Sequence, residues 1–292
     1  MRKRTISGKT RLCGIIGDPV EHSMSPAMHN AAFREMGLDY LYVPFRVKKE
    51  ELGKAIEGVR ALGIRGINIT IPHKVAVLQH LDEIDGLAEK MGAVNTIVND
   101  DGTLKGYNTD ASGFLQALLE RAIDPEGKNI VILGAGGASR ATSFILVDRG
   151  ANLVILNRRL ELDWAEKLSR RISQTFGREI KALELNRENL VKVLKKADVL
   201  VNATSVGMSP DIGETPVNAD LIRPGFIVYD IIYNPIKTRL LREAEAAGAN
   251  IIGGLDMLVW QGALAFEMWT GKKAPVELMK EEAVKILKRY EN

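Results

Sequence analysis

The run Asn129-Ile130-Val131-Ile132-Leu133 passes directly into Gly134-Ala135-Gly136-Gly137-Ala138-Ser139 and then into a helical pattern. No other segment constrains the fold as strongly. A strand that is apolar on both sides is what a parallel sheet covered on two faces requires. The glycine turn fits G-x-G-x-x-[G/A/S] in the strand-to-helix setting that makes this spacing meaningful. Gly134 permits the tight turn, and Gly136 removes the side chain that would block a pyrophosphate. The helix N-terminus offers unpaired N–H donors and the positive end of the dipole. The setting predicts a dinucleotide site at Gly134, Ala135, Gly136, Gly137 and Ala138, with a purely structural turn as the alternative.

Further apolar strands follow at Asn152–Leu156, Asp198–Asn202, Phe226–Ile231 and Asn250–Ile252, with helical segments between them. This alternation predicts a doubly wound α/β domain. The second strand ends in Asn157-Arg158-Arg159. An NAD site places an acidic residue here to accept from the ribose 2′-hydroxyl. A guanidinium instead pairs with a 2′-phosphate that a carboxylate would repel, so the expected cofactor is NADP. Arg159 either joins that site or is solvated. Thr204, in Asn202-Ala203-Thr204-Ser205, follows another strand at the edge where ligands sit in open sheets.

The first half mixes parallel and antiparallel signals. Strands are expected at Leu12–Gly17, Tyr40–Val47 and Gly66–Thr70, and an amphipathic helix at Lys48–Leu62. Ser25-Pro26 predicts a helix start with serine as the cap, and Pro72 another short helix. Ala93–Asn99 and Thr103–Tyr107 flank Asp100-Asp101-Gly102, a hairpin signature. Asp124-Pro125-Glu126-Gly127 is a turn-rich linker. Helices at about Asp256–Trp269 and Pro275–Arg289 lack strands of their own and must pack elsewhere.

Length and charge limit the remaining functions. A chain of 292 residues predicts about two domains. Lys+Arg 40 against Asp+Glu 37 leaves +3, too little for a nucleic-acid or anionic-membrane surface. The early Arg2, Lys3, Arg4, Lys9 and Arg11 precede no apolar core, so a solvated arm is expected rather than a signal peptide. Ile251–Trp269 is broken by Asp256, Gln261 and Glu267 and is no membrane span. One cysteine, placed in an apolar strand, excludes an internal disulfide, and the four histidines lack zinc-ligand spacing. A cytoplasmic protein without a metal is expected.

Polar residues of the first half concentrate just after strands. His22-Ser23-Met24-Ser25-Pro26 sets two hydroxyls beside a helix start, which suits a small carboxylate, although Ser25 could serve only as a cap. In Asn68-Ile69-Thr70-Ile71-Pro72-His73-Lys74, alternation puts Asn68, Thr70 and Pro72 on one side. Lys74 is expected at a helix start, the unfavourable dipole end for a cation, and His73 is expected to be structural or a minor contact. Asn95-Thr96 and Asn108-Thr109-Asp110 complete the set. Asp110 is either a helix cap or the partner of Lys74, and a lysine–aspartate pair can hold a hydroxyl and pass its proton. These residue types suit a polyhydroxylated acid.

Asn68-x-Thr70-x-Pro72-x-Lys74, Gly92-Ala93-Val94-Asn95-Thr96, Asn108-Thr109-Asp110, the glycine turn, Asn202-Ala203-Thr204, His22–Pro26 and Tyr233-Asn234-Pro235 occur in order along essentially the whole chain. Together they resemble the shikimate dehydrogenase family. The resemblance implies an α/β chain of two domains with a cleft between them. Residues 1–121 plus 256–292 would form a mixed substrate-binding domain, with the late helices folded back onto it, and residues 122–255 a Rossmann-type NADP domain. It implies NADPH-dependent interconversion of 3-dehydroshikimate and shikimate, in chorismate and aromatic amino-acid biosynthesis. Ser23 and Ser25, helped by Tyr233, would bind the carboxylate. Thr70, Asn95, Asp110 and Gln261 would bind ring hydroxyls. Lys74 would be the acid/base with Asp110 as partner, and Gly254 would join the cofactor residues. The family's Asn-Arg-Thr is here Asn157-Arg158-Arg159.

Gln261 also stands out on its own. Met257, Leu258, Leu264, Ala265 and Met268 flank it at helical spacing, so its amide lies on an apolar face. There it needs a partner, a substrate hydroxyl or a backbone carbonyl, or it costs about 1–3 kcal/mol. Alternatives are a dehydrogenase acting on quinate or with NAD, and a non-catalytic NADP-sensing module. Methylene-tetrahydrofolate dehydrogenases and glutamyl-tRNA reductases carry similar cofactor domains without Asn68–Lys74. A homodimer is left open.

Overall fold

The computed structural model describes residues 6–290, so Arg2, Lys3 and Arg4 of the expected arm lie outside the described residues. Two compact units emerge. One comprises the chain up to Thr109 with Val259–Arg289, and the other Asp110–Leu258. Among the described residues no helix is long and apolar enough to cross a membrane.

The first unit contains β1 (Arg11–Gly17), α1 (Ser25–Glu35), β2 (Tyr40–Arg46), α2 (Leu52–Ala61), β3 (Gly66–Ile69), β4 (Glu83–Ile84), α3 (Gly86–Met91), β5 (Thr96–Asp100) and β6 (Thr103–Tyr107). They form a mixed sheet ordered β2-β1-β3-β5-β6-β4. β1 runs parallel to β2 and β3, and β5 antiparallel to β3 and β6. The expected hairpin is present. Asp101 and Gly102 have φ of +48° and +95°, the left-handed pair that matches strand twist. Ile16, Ile56, Ile67, Ile69, Ile97 and Leu104 fill one side of the sheet.

Two local expectations fail. Pro72 opens no helix: residues 71–75 form turns, followed by a short 3-10 segment, Ala76–His80. The segment expected as one helix from Lys48 starts as a 3-10 turn, Lys49–Glu51, before α2.

The second unit contains nearly all of α4 (Thr109–Leu119), then β7 (Asn129–Leu133), α5 (Gly137–Asp148), β8 (Asn152–Asn157), α6 (Leu162–Phe176), β9 (Lys181–Glu184), α7 (Arg187–Leu194), β10 (Val199–Asn202), β11 (Ile227–Asp230), α8 (Arg239–Ala246) and β12 (Asn250–Gly253). All six strands are parallel, ordered β12-β11-β10-β7-β8-β9. Counted from β7, this is the 3-2-1-4-5-6 order of dinucleotide-binding sheets, with the switch point between β7 and β10. α4 belongs here because Phe114 stacks on buried Tyr229, with ring centroids 4.5 Å apart.

α9 (Gly254–Thr270) and α10 (Val276–Tyr290) end the described chain, and from Val259 on they belong to the first unit. Trp269 anchors them there. Its indole N–H donates to the Ile97 carbonyl at 3.0 Å. Its carbonyl, one of the orphans at a helix end, accepts from Tyr40 Oη at 3.2 Å and Arg65 Nε at 3.1 Å.

His29 is buried in the adjoining aromatic cluster, stacked on Tyr42 at 4.4 Å and tilted to Trp269 at 5.2 Å. Neither ring nitrogen has a hydrogen-bond partner among the described residues. Burial without a partner disfavours imidazolium and holds the pKa down to about 3. The unfolded chain therefore binds a proton that the folded chain refuses between pH about 6.5 and about 3. Stability must fall as pH drops through that window, at up to about 1.4 kcal/mol per pH unit. In His29→Leu this contribution disappears, while the other titrating groups remain common to both proteins. Denaturant unfolding from pH 7 to 4 should show the wild-type stability curve falling relative to that of His29→Leu on acidification. A constant difference between them would contradict the assignment.

Candidate active site

Strand direction gathers the polar residues of the first unit. β1 and β3 are parallel and end at one edge of the sheet. Antiparallel β5 begins at that edge, and β6 ends there. Ser23 and Ser25 follow β1, Thr70 and Lys74 follow β3, Asn95 precedes β5, and Thr109 follows β6. Backbone bonds lock the segments together. The Ile69 N–H donates to the Asn95 carbonyl at 2.8 Å, Thr70 N–H to Ile16 at 2.9 Å, and Val94 N–H to Lys74 at 2.8 Å.

A buried chain of hydrogen bonds runs beneath this edge. Tyr42 Oη donates to Asn68 Oδ1 at 2.7 Å, and Asn68 Nδ2 to Thr96 Oγ1 at 3.0 Å. Thr96 and Thr109 share a bond of 2.9 Å between their hydroxyls. Asn95 Oδ1 then accepts from the Thr109 N–H at 2.6 Å and hydroxyl at 3.1 Å. A backbone N–H can only donate, so the Asn95 oxygen is committed to the protein and the orientation of its NH2 edge is set. Tyr42 was not singled out from the sequence. The available signal was the inward alternation of Tyr40 and Tyr42, because a buried phenol needs a partner.

Ser25 does not cap: Met24 holds the cap position of α1, without a side-chain cap bond. The hydroxyl that serves the helix start is that of Ser23, which accepts from the Ser25 N–H at 3.3 Å. Lys74 is half-buried in the turn before a single 3-10 segment, so the expected conflict with a helix dipole does not arise. Asp110 is the second residue of α4, inside the first turn rather than at its cap. Buried His73 is structural, with Nε2 2.7 Å from the Val47 carbonyl. Gln261 is buried, as its flanks predict. α9 is not a one-sided stripe, however, since Val259, Ala263, Phe266 and Trp269 are buried as well.

In the second unit the C-terminal strand edge carries the dinucleotide features. Gly134 has φ +96°, and a Cβ there would lie 2.9 Å from the Ala203 carbonyl oxygen. At Gly136 and Gly137 an added Cβ would meet nothing within 4 Å. Protein packing therefore does not demand glycine at these two positions, and their openness leaves room for the close approach of a pyrophosphate. No side chain caps α5, which leaves its first N–H groups directed at such a ligand. These features fit a bound dinucleotide. Asn157 donates from Nδ2 to the Glu161 carbonyl at 2.7 Å. Arg158 is exposed and ion-paired with Glu161, and Arg159 is exposed at the start of the 3-10 turn Arg159–Glu161.

Thr204 is held by Asn202, whose Oδ1 accepts the Thr204 hydroxyl at 2.7 Å and N–H at 3.1 Å. Asn202 Nδ2 donates to Asp230 Oδ1 at 3.0 Å. Asp230 also accepts from the Ile232 N–H at 3.1 Å and the Thr238 hydroxyl at 2.7 Å. Burial pushes its carboxyl up to about 6 against these bonds. The carboxylate thus ties the loop bearing half-exposed Tyr233 to the loop bearing Thr204. Sequence reasoning missed Asp230, which looks there like an ordinary strand-end residue.

Gly254 has a packing role. A Cβ there would lie 2.0 Å from the Ile231 carbonyl oxygen and 2.3 Å from its carbon, and backbone cannot yield. Gly254→Ala should therefore cost at least about 3 kcal/mol of unfolding free energy. Gly136→Ala should cost under about 1 kcal/mol and instead weaken NADP+ binding. Denaturant unfolding alongside cofactor titration separates the two; equal stability losses would refute the contrast.

Three family models match in order along the chain. They are the shikimate dehydrogenase substrate-binding domain over residues 15–97, shikimate/quinate 5-dehydrogenase over 117–217, and the shikimate 5′-dehydrogenase C-terminal domain over 254–283. A curated protein of Methanopyrus kandleri, shikimate dehydrogenase (NADP(+)), is 49% identical over 286 residues, covering 97% of this chain and 98% of its own. The chain belongs to the shikimate dehydrogenase family. Solved structures of shikimate dehydrogenases agree in fold. That of Listeria monocytogenes, in complex with shikimate and NAD, is 42% identical with a TM-score of 0.91, covering 95% of this chain and 98% of its own. That of Thermus thermophilus, with NADP(H) and shikimate, is 38% identical with a TM-score of 0.82, covering 94% and 99%.

Proposed function

We propose that this chain catalyses the reversible NADPH-dependent reduction of 3-dehydroshikimate to shikimate, a step towards chorismate and the aromatic amino acids. The observation that carries this reading is the gathering of Ser23, Ser25, Thr70, Lys74 and Asn95 at one sheet edge. Such a set matches a small acid that bears hydroxyls and one ketone. Ser23 and Ser25, with Tyr233, bind the carboxylate. The oriented NH2 edge of Asn95 and the hydroxyl of Thr70 bind ring oxygens, as do Asp110 and Gln261. Bound NADPH supplies the hydride that reduces C3. Lys74 donates a proton to the C3 oxygen as it gains negative charge, and takes it back in the oxidative direction, with Asp110 as its partner. Fixing the ring in one orientation lowers the barrier further, because hydride transfer demands close alignment. Arg158, with Arg159, selects the 2′-phosphate of NADP. The buried single cysteine, Cys13, suits a reducing cytoplasm, where we place the reaction.

Initial rates of cofactor reduction, with shikimate or quinate and with NADP+ or NAD+, test the proposal. The highest kcat/KM is expected for shikimate with NADP+. No NADPH formation from shikimate would overturn the reading, and a quinate preference would replace it with the broader activity.

A further inference from the structure

The turn that follows β8 holds an acidic residue where a 2′-phosphate is to be recognised. Three bonds build Glu161 into this turn. Its N–H donates to the Arg158 carbonyl at 2.9 Å, its own carbonyl accepts from Asn157 Nδ2 at 2.7 Å, and its carboxylate is ion-paired with the Arg158 guanidinium. Asn157 is itself pinned, its carbonyl accepting from the Leu185 N–H at 2.8 Å. Side-chain exposure is 24% for Glu161 and 69% for Arg158, so the carboxylate is the fixed member and the guanidinium the presented one. The pair holds the Glu161 carboxyl below its ordinary range, so it is charged at neutral pH.

This arrangement affects the two nicotinamide cofactors unequally. A 2′-phosphate carries about −1.5 to −2 charge at neutral pH. It must share Arg158 with Glu161 and bears the repulsion of that carboxylate. A 2′-hydroxyl carries no charge and meets no such repulsion.

We infer that Glu161 is a specificity-determining residue: its carboxylate, fixed on Arg158, weakens the preference for the 2′-phosphorylated cofactor and keeps NAD usable. The inference rests on the reading of Arg158 as the 2′-phosphate site.

Glu161→Gln keeps a hydrogen-bonding group for Arg158 and removes only the charge. Calorimetric titration of wild type and variant with NADP+, NAD+ and 2′,5′-ADP reads the effect. Removing one like charge at a water-exposed site should tighten NADP+ and 2′,5′-ADP about three- to tenfold. NAD+ should bind equally or more weakly. Glu161→Ala, which also drops the hydrogen bond, should move the NADP+/NAD+ ratio the same way. A ratio that stays constant or falls in Glu161→Gln overturns the inference, and so does an equal loss for all three ligands, which is what a merely structural role produces. Arg158→Gln tests the underlying reading separately. If it lowers NADP+ affinity selectively while Glu161→Gln changes nothing, only the inference fails. If it leaves the NADP+/NAD+ ratio intact, the assignment of Arg158 fails first.

Discussion

Lys74→Ala should lower kcat for shikimate oxidation by about 10²–10⁴-fold, the range lost with a general acid/base, while NADP+ binds with unchanged affinity. The backbone of this turn is held by groups other than the Lys74 side chain. The Lys74 carbonyl accepts from the Val94 N–H at 2.8 Å, the His73 N–H donates to the Thr70 carbonyl at 2.9 Å, and the buried His73 ring sits on Val47. Lys74→Arg supplies the control. It keeps a cation near the substrate oxygen but cannot give up its proton near neutral pH, so it should recover KM far more than kcat. Steady-state rates with a parallel NADP+ titration check both variants. Turnover near the wild-type value in Lys74→Ala would remove this residue from the mechanism.

Gly66→Ala should destabilise the protein by about 3–5 kcal/mol, the sum of overpacking and a broken buried hydrogen bond. A methyl group at Gly66 would lie 1.9 Å from Trp269 Nε1 and 2.2 Å from Cδ1. The indole cannot swing aside cheaply. It is 1% exposed, and its N–H is held by Ile97 on the neighbouring strand. Expected in denaturant unfolding is a large fall in midpoint, with a double-mutant cycle to locate its cause. Adding Trp269→Leu should cost clearly less in the Gly66→Ala background than in wild type. Strict additivity would show that the two positions do not clash.

The sequence alone was sufficient for features whose physics is local. The apolar run Asn129–Leu133 followed by the glycine turn defined the nucleotide-binding half, because burial on both faces and a left-handed turn are each written in a few adjacent residues. Asp101-Gly102 marked the hairpin for the same reason. Short edge strands were not legible: Lys181–Glu184 and Glu83–Ile84 are brief and charged, and only their neighbours make them strands. Nor was the local outcome at Pro72 or Ser25. Proline at a first turn and serine before it permit a helix start and a cap, but the chain at Pro72 is held in turns by the His73–Thr70 and Val94–Lys74 backbone bonds, and α1 takes Met24 at its cap position.

Candidate site residues were mostly identifiable by type and motif, whereas their convergence was not. Asn95 meets the Thr70 and Lys74 segment only because β5 runs antiparallel to β3. Its NH2 edge is oriented because Thr109 and the Thr96 hydroxyl occupy its oxygen. Asp230 links Thr204 to the Tyr233 loop only after β10 and β11 are parallel and in register. Hydrophobic period and turn chemistry act within a few residues and leave a mark in the sequence. A buried polar group takes whichever partner the packed chain brings to it, so those pairings were decided by the tertiary structure.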